Sequence, residues 1–248
     1  MTGSLVVVGT GPGKAELMTP ATSAALARAT DLVGYGPYLD RVPATAGQCR
    51  HASDNRVELD RARHALSLAA SGKQVAVVSG GDPGVFAMAA AVFEAVEAGE
   101  PAWRTLDIRI EPGVTAMLAA AAEVGAPLGG DFCAISLSDN LKAWTTIERR
   151  LSAAAEADFV IALYNPASKA RPRQLGEALA VLRAMKKAET PVLFIRAAGT
   201  SEAKVVSTTL GAADASTADM RTLVIIGAST TRQVGRWIYT PRGERGAS

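Results

Sequence analysis

The stretch Leu5-Val6-Val7-Val8-Gly9-Thr10-Gly11-Pro12-Gly13 constrains this chain more than any other. Four consecutive apolar residues, three of them valines, specify a strand buried on both faces, and the glycines after it let the backbone turn sharply. Thr19-Pro20 then opens an alanine-rich helix. Thr19 is its expected N-cap, and Pro20 takes the first helical position, where a missing N–H costs nothing. A strand that ends in a glycine loop and feeds a helix is where open α/β sheets place ligands. The loop matches neither common phosphate-binding pattern. A Rossmann fingerprint needs a third glycine where Lys14 stands, a Walker A lysine precedes Ser or Thr where Ala15 stands, and Pro12 removes an N–H. Taken alone, the stretch fits a plain turn without a ligand equally well.

Bulk properties narrow the classes. A hydrophobic content of 48% over 248 residues is enough for a full core in one large or two modest domains. A net charge of +2 provides no basic surface of the kind nucleic acid demands. Cys49 and Cys133 form no metal-ligand pattern and read as reduced thiols of a cytoplasmic protein, and His51 and His64 are too few for a His-rich metal site, so no metal is expected. The N-terminal apolar run is too short for a signal peptide. The longest later run, residues 85–93, falls far below the ~20 apolar residues that span a bilayer, so no membrane association is expected.

Strand and helix patterns alternate through the first half. Strands are expected at residues 5–8, 31–35, 74–79 and 107–110, with helices at 58–71, stopped by Gly72, and at 85–98. Residues 36–56, with Pro37, Pro43 and Gly47, read as a long functional loop. This half predicts a mostly parallel α/β sheet ending near Gly113. The second half starts with a helix at 115–124, then strands at 132–137 and 158–164, a helix at about 173–187, and strands at 192–196, 205–209 and 223–226. No helix of normal length separates the 192–196 and 205–209 strands, which predicts antiparallel pairing and a mixed sheet. The expected domains are therefore residues 1–113 and 114–248. Met117 and Met185 fall at helical spacing and read as core, and Trp144 and Trp237 as core or interface.

Five strand ends carry unusual loops: residues 9–13, 80–84, 111–115, 163–166 and 198–200. Gly9-Thr-Gly-Pro-Gly with Thr19, Gly80-Gly-Asp-Pro and Pro112-Gly-Val-Thr resemble the tetrapyrrole methylases, the class III S-adenosylmethionine-dependent methyltransferases. Further segments resemble the subgroup that methylates C-17 of precorrin-3B in cobalamin biosynthesis. These are Ile135-Ser-Leu-Ser-Asp139 with Trp144, Leu163-Tyr-Asn-Pro-Ala-Ser-Lys169 with Arg171, Arg196-Ala-Ala-Gly199, Thr208-Thr209-Leu210 and Ile225-Ile-Gly-Ala-Ser229 with Thr231-Arg232. The resemblance covers nearly the whole chain.

It implies a two-domain α/β homodimer that binds S-adenosylmethionine in the cleft between domains. Cofactor contacts are implied for Pro12, Gly80, Gly81, Asp82, Val85, Thr115, Ala116, Tyr164, Asn165 and Gly199. Tetrapyrrole contacts are implied for Gly11, Gly13, Ser138, Lys169, Arg171 and Arg196. Arginine forks suit the many carboxylates of a precorrin, although basic side chains also decorate any soluble surface. Asp82 and Thr115 have plain readings too, as a turn former and a helix cap. Methyl transfer needs positioning more than acid–base help, which agrees with the absence of a triad motif. The implied ring contraction expels C-20 and would use a base near its hydroxyl, for which Asp139, and after it Asp82, are the candidates. A cobalt-containing substrate, a sister methylase acting on another carbon, and a non-catalytic nucleotide-like binding module are the alternatives.

Overall fold

The computed structural model describes residues 3–54 and 57–243, which divide into two compact α/β units, Met1–Ala116 and Met117–Ser248. The first unit holds β1 (Ser4–Gly9), α1 (Pro20–Arg28), β2 (Asp31–Tyr35), α2 (Gly36–Leu39), β3 (Cys49–Ser53), α3 (Glu58–Ala70), β4 (Gln74–Ser79), α4 (Met88–Ala98) and β5 (Asp107–Glu111). Its five strands are all parallel, in the order β3-β2-β4-β1-β5. Alternate side chains of the two central strands go to opposite faces. Leu5, Val7, Val75 and Val77 pack on α3 and α4, whereas Val8, Ala76 and Val78 pack on α1 and Leu39. Both faces are covered, so these strands are apolar at nearly every position.

In the second unit α5 (Ala116–Val124) runs into β6 (Gly125–Ala126). There follow β7 (Phe132–Ser136), α6 (Trp144–Glu156), β8 (Val160–Tyr164), α7 (Gln174–Arg183), β9 (Pro191–Arg196), β10 (Lys204–Thr209) and β11 (Thr222–Ile226), and a hairpin of β12 (Arg232–Val234) and β13 (Trp237–Tyr239). The main sheet, β10-β9-β11-β8-β7, is mixed: β7 and β8 are parallel, and β11 runs antiparallel to β8 and β9. A small sheet joins β12, β13 and β6.

Four expectations are corrected. The expected loop 36–56 is not one long loop over its described residues, 36–54: they contain α2 and the edge strand β3, and residues 55 and 56 lie outside the described residues. The sequence Cys49-Arg-His-Ala-Ser53 looks unlike a strand because side-chain hydrogen bonds, more than apolar burial, hold it. Arg50 donates to the carbonyls of Leu39, Val42 and Pro43 at 2.8, 2.8 and 2.9 Å. Helix α4 starts at Met88 and not Val85, because Phe86 adopts a left-handed φ of 53° that no helix tolerates. Helix α6 was not expected, although Ile147, Leu151, Ala154 and Ala155 form its buried stripe. Met117 is buried, but Met185 lies past the end of α7 and is 43% exposed; Trp237 is exposed too, which removes it from the core and leaves its interface reading open. No helix among the described residues is long and apolar enough to cross a membrane.

Candidate active site

In the first unit, the strand order reverses at β1 and β4, and their carboxyl ends are the expected ligand crevice. The loops there are fastened backbone to backbone. Gly81 N–H donates to the Gly11 carbonyl at 2.8 Å, and Gly11 N–H donates to the Gly81 carbonyl at 3.1 Å. Gly9, Gly81 and Gly113 are crowded together: a Cβ on Gly113 would stand 2.2 Å from the Gly81 oxygen and 2.7 Å from the Gly9 oxygen. Only glycine allows three chains to approach this closely.

Asp82 fixes the third loop to the second. Its Oδ1 accepts from Gly84 N–H at 2.8 Å and its Oδ2 from Gly113 N–H at 3.1 Å. Thr19 caps α1 by accepting from Thr22 N–H at 3.1 Å, and its hydroxyl donates to the Pro112 carbonyl at 3.4 Å. Gly11, Pro12, Gly13, Gly80, Gly81, Asp82, Val85, Thr115 and Ala116 are thus gathered at one edge of this sheet. Thr115 is buried, and Pro12, Val85 and Ala116 are half-buried. A cavity of about 290 Å³ lies mainly at the opposite, amino ends of the strands, beside Ser4, Arg28, Gln74 and Arg109, and of the motif-loop residues only Glu111 lines it.

In the second unit, β7, β8 and β9 all point their carboxyl ends to one edge of the mixed sheet. Asn165, just past β8, has φ of 53° and donates from Nδ2 to Ser136 Oγ on β7 at 2.9 Å. Arg171 reaches back to the carbonyls of Asn165 (3.2 Å) and Leu137 (3.4 Å), which brings Ser138 alongside. Asp139 Oδ2 accepts from Gln174 Nε2 at 3.0 Å, at the start of α7. Helix α6 begins at Trp144 without a side-chain cap.

Helix α5 lies across this edge. Tyr164 OH accepts from Met117 N–H at 3.0 Å, and Gly199 N–H, after β9, donates to Glu123 Oε1 at 3.2 Å. Six residues of helix rise about 9 Å, close to the roughly 9.6 Å between strands two positions apart. The spacing of Met117 and Glu123 therefore matches that of β8 and β9, with β11 between them. Lys169 is exposed, whereas Arg196 is engaged: its Nε donates to Asp219 at 2.7 Å. The bond to the Asp219 carboxylate raises the Arg196 guanidinium above its ordinary value.

Three of the four non-glycine residues with positive φ among the described residues, Phe86, Asn165 and Ala197, sit in or beside these loops. Local strain of this kind concentrates at ligand sites. Asn165→Ala should destabilise the protein by roughly 2 kcal/mol, from the lost Ser136 bond and the left-handed backbone together. Asn165→Gly removes only the bond and should cost about half as much. Urea unfolding of both variants measures the difference, and equal costs would contradict the strained-backbone assignment. Sequence reasoning missed Ser136, Glu123 and Gln174, each of which acts only through a partner distant in sequence. The left-handed Asn165 before Pro166 was the one local signal.

The family model for tetrapyrrole (corrin/porphyrin) methylases matches residues 4–214. The precorrin-3B C(17)-methyltransferase of a Sinorhizobium species is 60% identical over 253 residues, covering 100% of each chain. The probable cobalt-factor III C(17)-methyltransferase of Salmonella typhimurium is 42% identical, covering 96% of this chain and 98% of that one. The crystal structure of the methyltransferase CobJ matches with a TM-score of 0.94 at 54% identity, covering 96% of this chain and all of the other.

Proposed function

Because the chain belongs to the tetrapyrrole (corrin/porphyrin) methylases, we propose that it transfers a methyl group from S-adenosylmethionine to C-17 of precorrin-3B, with ring contraction, giving precorrin-4 in cobalamin biosynthesis. The observation that carries this reading is the 60% identity, over the full length of both chains, to a precorrin-3B C(17)-methyltransferase.

The loops suit the cofactor chemically. Residues 80–84 and 112–116 contain one charged side chain, the Asp82 carboxylate, and no cation, an environment that favours a positively charged sulfonium. Half-buried Val85, Val114 and Ala116 supply apolar surface for the adenine. Cofactor contacts are assigned to Pro12, Gly80, Gly81, Asp82, Val85, Thr115 and Ala116 in the first unit, and to Tyr164, Asn165 and Gly199 in the second. The sulfonium supplies an activated methyl group, so this chain's residues have mainly to hold the carbon nucleophile in line.

Gly11, Gly13, Ser138, Lys169, Arg171 and Arg196 are assigned to the tetrapyrrole. Arg171 and Arg196 each keep guanidinium N–H groups beyond those in the bonds described above, and these are free to meet a carboxylate. Asp139, steadied by Gln174, is the proposed base for the C-20 hydroxyl, with Asp82 second because both its oxygens already accept backbone N–H groups. In balance, C-17 gains CH3 as a cation equivalent and the hydroxyl gives up a proton, so the substrate gains a net CH2. We read the domains as residues 1–113 and 114–248, and the enzyme as a cytoplasmic homodimer. The two free cysteines support the cytoplasmic part.

A second reading, methylation of the cobalt-containing counterpart, is favoured by the 42% identity to the Salmonella protein. Anaerobic incubation with S-adenosylmethionine and either precorrin-3B or cobalt-precorrin-3, followed by mass and absorbance, separates the two. A methyl gain on the metal-free substrate supports the first. A gain only with cobalt moves the enzyme to the other route. No gain with either overturns both and leaves the binding-module alternative.

A further inference from the structure

We propose that Arg61, with Tyr35, Tyr38 and Arg41, forms a carboxylate-binding site in the first unit that anchors an acidic side chain of the tetrapyrrole. The proposal rests on the methyltransferase reading and adds a substrate-recognition group to it. Arg61, on α3, is only 5% exposed, and no acidic residue among those described forms an ion pair with it. Its three hydrogen bonds go to Ser53 Oγ (2.7 Å), the Asp54 carbonyl (2.6 Å) and the thioether sulfur of Met88 (3.3 Å). All three acceptors are neutral, and a thioether is a weak one. A buried guanidinium without a counter-charge is costly, and an anionic ligand would supply the missing charge. Burial pushes the Arg61 guanidinium down from its ordinary value, while the more distant Glu58 carboxylate and the Tyr38 and Tyr35 phenols push it back up.

The surroundings fit an anionic ligand. Five guanidinium N–H groups less three bonds leave one on each terminal nitrogen for a further acceptor. The Tyr35 and Tyr38 rings meet edge to face at 5.5 Å, and Arg41 lies 5.5 Å over the Tyr38 ring, which adds a second cation. Tyr38 also packs directly against Gly80, where an added Cβ would stand 2.7 Å from its ring. The cluster is therefore continuous with the glycine loop after β4, and Ser53 and Tyr35 place it at the carboxyl ends of β3 and β2. Arg50 braces the connection beneath, so Tyr38 and Arg41 are presented on an ordered segment.

The test compares wild type with Arg61→Met and Arg61→Lys by steady-state kinetics on precorrin-3B and by calorimetric titration of S-adenosylmethionine. Arg61→Met should raise the precorrin-3B KM by at least about tenfold, since hydrogen bonds to charged groups are the strong ones. S-adenosylmethionine affinity should stay within about twofold of wild type, because Arg61 contacts no cofactor residue. Arg61→Lys keeps the charge without the guanidinium and should fall between. An unchanged precorrin-3B KM in either folded variant overturns the proposal. If Arg61→Met does not fold, Arg61→Lys with an unaltered KM still overturns it. Binding of uroporphyrin, an octacarboxylate, against its octamethyl ester separates this from failure of the parent reading. A wild type that binds the acid better than the ester, with the preference lost in the Arg61 variants, supports the anion site even if precorrin-3B is not turned over. A wild type that prefers neither overturns it.

Discussion

Gly113→Ala should abolish tight S-adenosylmethionine binding and destabilise the protein. The added methyl would stand 2.2 Å from the Gly81 oxygen and 2.7 Å from the Gly9 oxygen, both backbone atoms that no side-chain rotation can clear. Either the Gly11–Gly81 pair of hydrogen bonds opens or the end of β5 moves away from β1. Overpacking of this kind costs about 1–3 kcal/mol. A loop displaced by about 1 Å loses roughly 100-fold in a property that depends on its geometry. Calorimetric titration and thermal melting measure the two effects. Gly176→Ala is the control: that glycine sits inside α7, where the nearest neighbour of an added Cβ is 3.9 Å away, and the change should stabilise by up to about 1 kcal/mol. Cofactor affinity unaltered in Gly113→Ala would contradict the assignment of the three-glycine junction to the site.

Asp158→Ala should destabilise the second unit by about 2–3 kcal/mol at neutral pH. Asp158 accepts from Lys186 Nζ at 2.8 Å and from Ser229 N–H at 3.0 Å, which ties the start of β8 to the segments after α7 and β11. The Lys186 side chain is 4% exposed, so removing its partner strands a buried ammonium. Breaking a fully buried pair costs about 3–5 kcal/mol, and the figure here is lowered because Asp158 is 43% exposed and partly screened. Partial burial pushes the Asp158 carboxyl up, but the Lys186 bond and then the Ser229 bonds outweigh it and hold it below its ordinary value. A depressed carboxyl contributes stability that is fully present above its unfolded value, about 3.9, and is lost as pH falls through the native one. The gap between wild type and Asp158→Ala should therefore be constant from neutral pH down to about pH 5 and shrink below about pH 4. Urea unfolding across that range measures it, and a gap that widens in acid would contradict the sign.

The central strands of both units were legible because burial on both faces demands unbroken runs such as Leu5-Val-Val-Val8 and Val192-Leu-Phe-Ile195, which no surface segment imitates. Strand β3 was not, since Arg50 and His51 earn their places through bonds to Leu39, Val42, Pro43 and Asp31 that have no local signature. Glycine loops marked the candidate site for the same reason that Gly113 tolerates no methyl: close backbone approach leaves a compositional mark. Their supporting partners leave none. Nothing local shows that Ser136 will meet Asn165, or that Glu123 will meet Gly199 across 76 residues. Arg61 was equally hidden, because an arginine on an amphipathic helix reads as a solvated side chain until its burial is known.

The most direct measurement is anaerobic turnover of precorrin-3B with S-adenosylmethionine carrying carbon-13 in its methyl group, with the product analysed by carbon NMR and mass. The predicted result is one labelled methyl on C-17, a net gain of CH2, and C-20 outside the macrocycle. Label on any other ring carbon, or a methylated product with C-20 still in the ring, would contradict C-17 methylation with ring contraction.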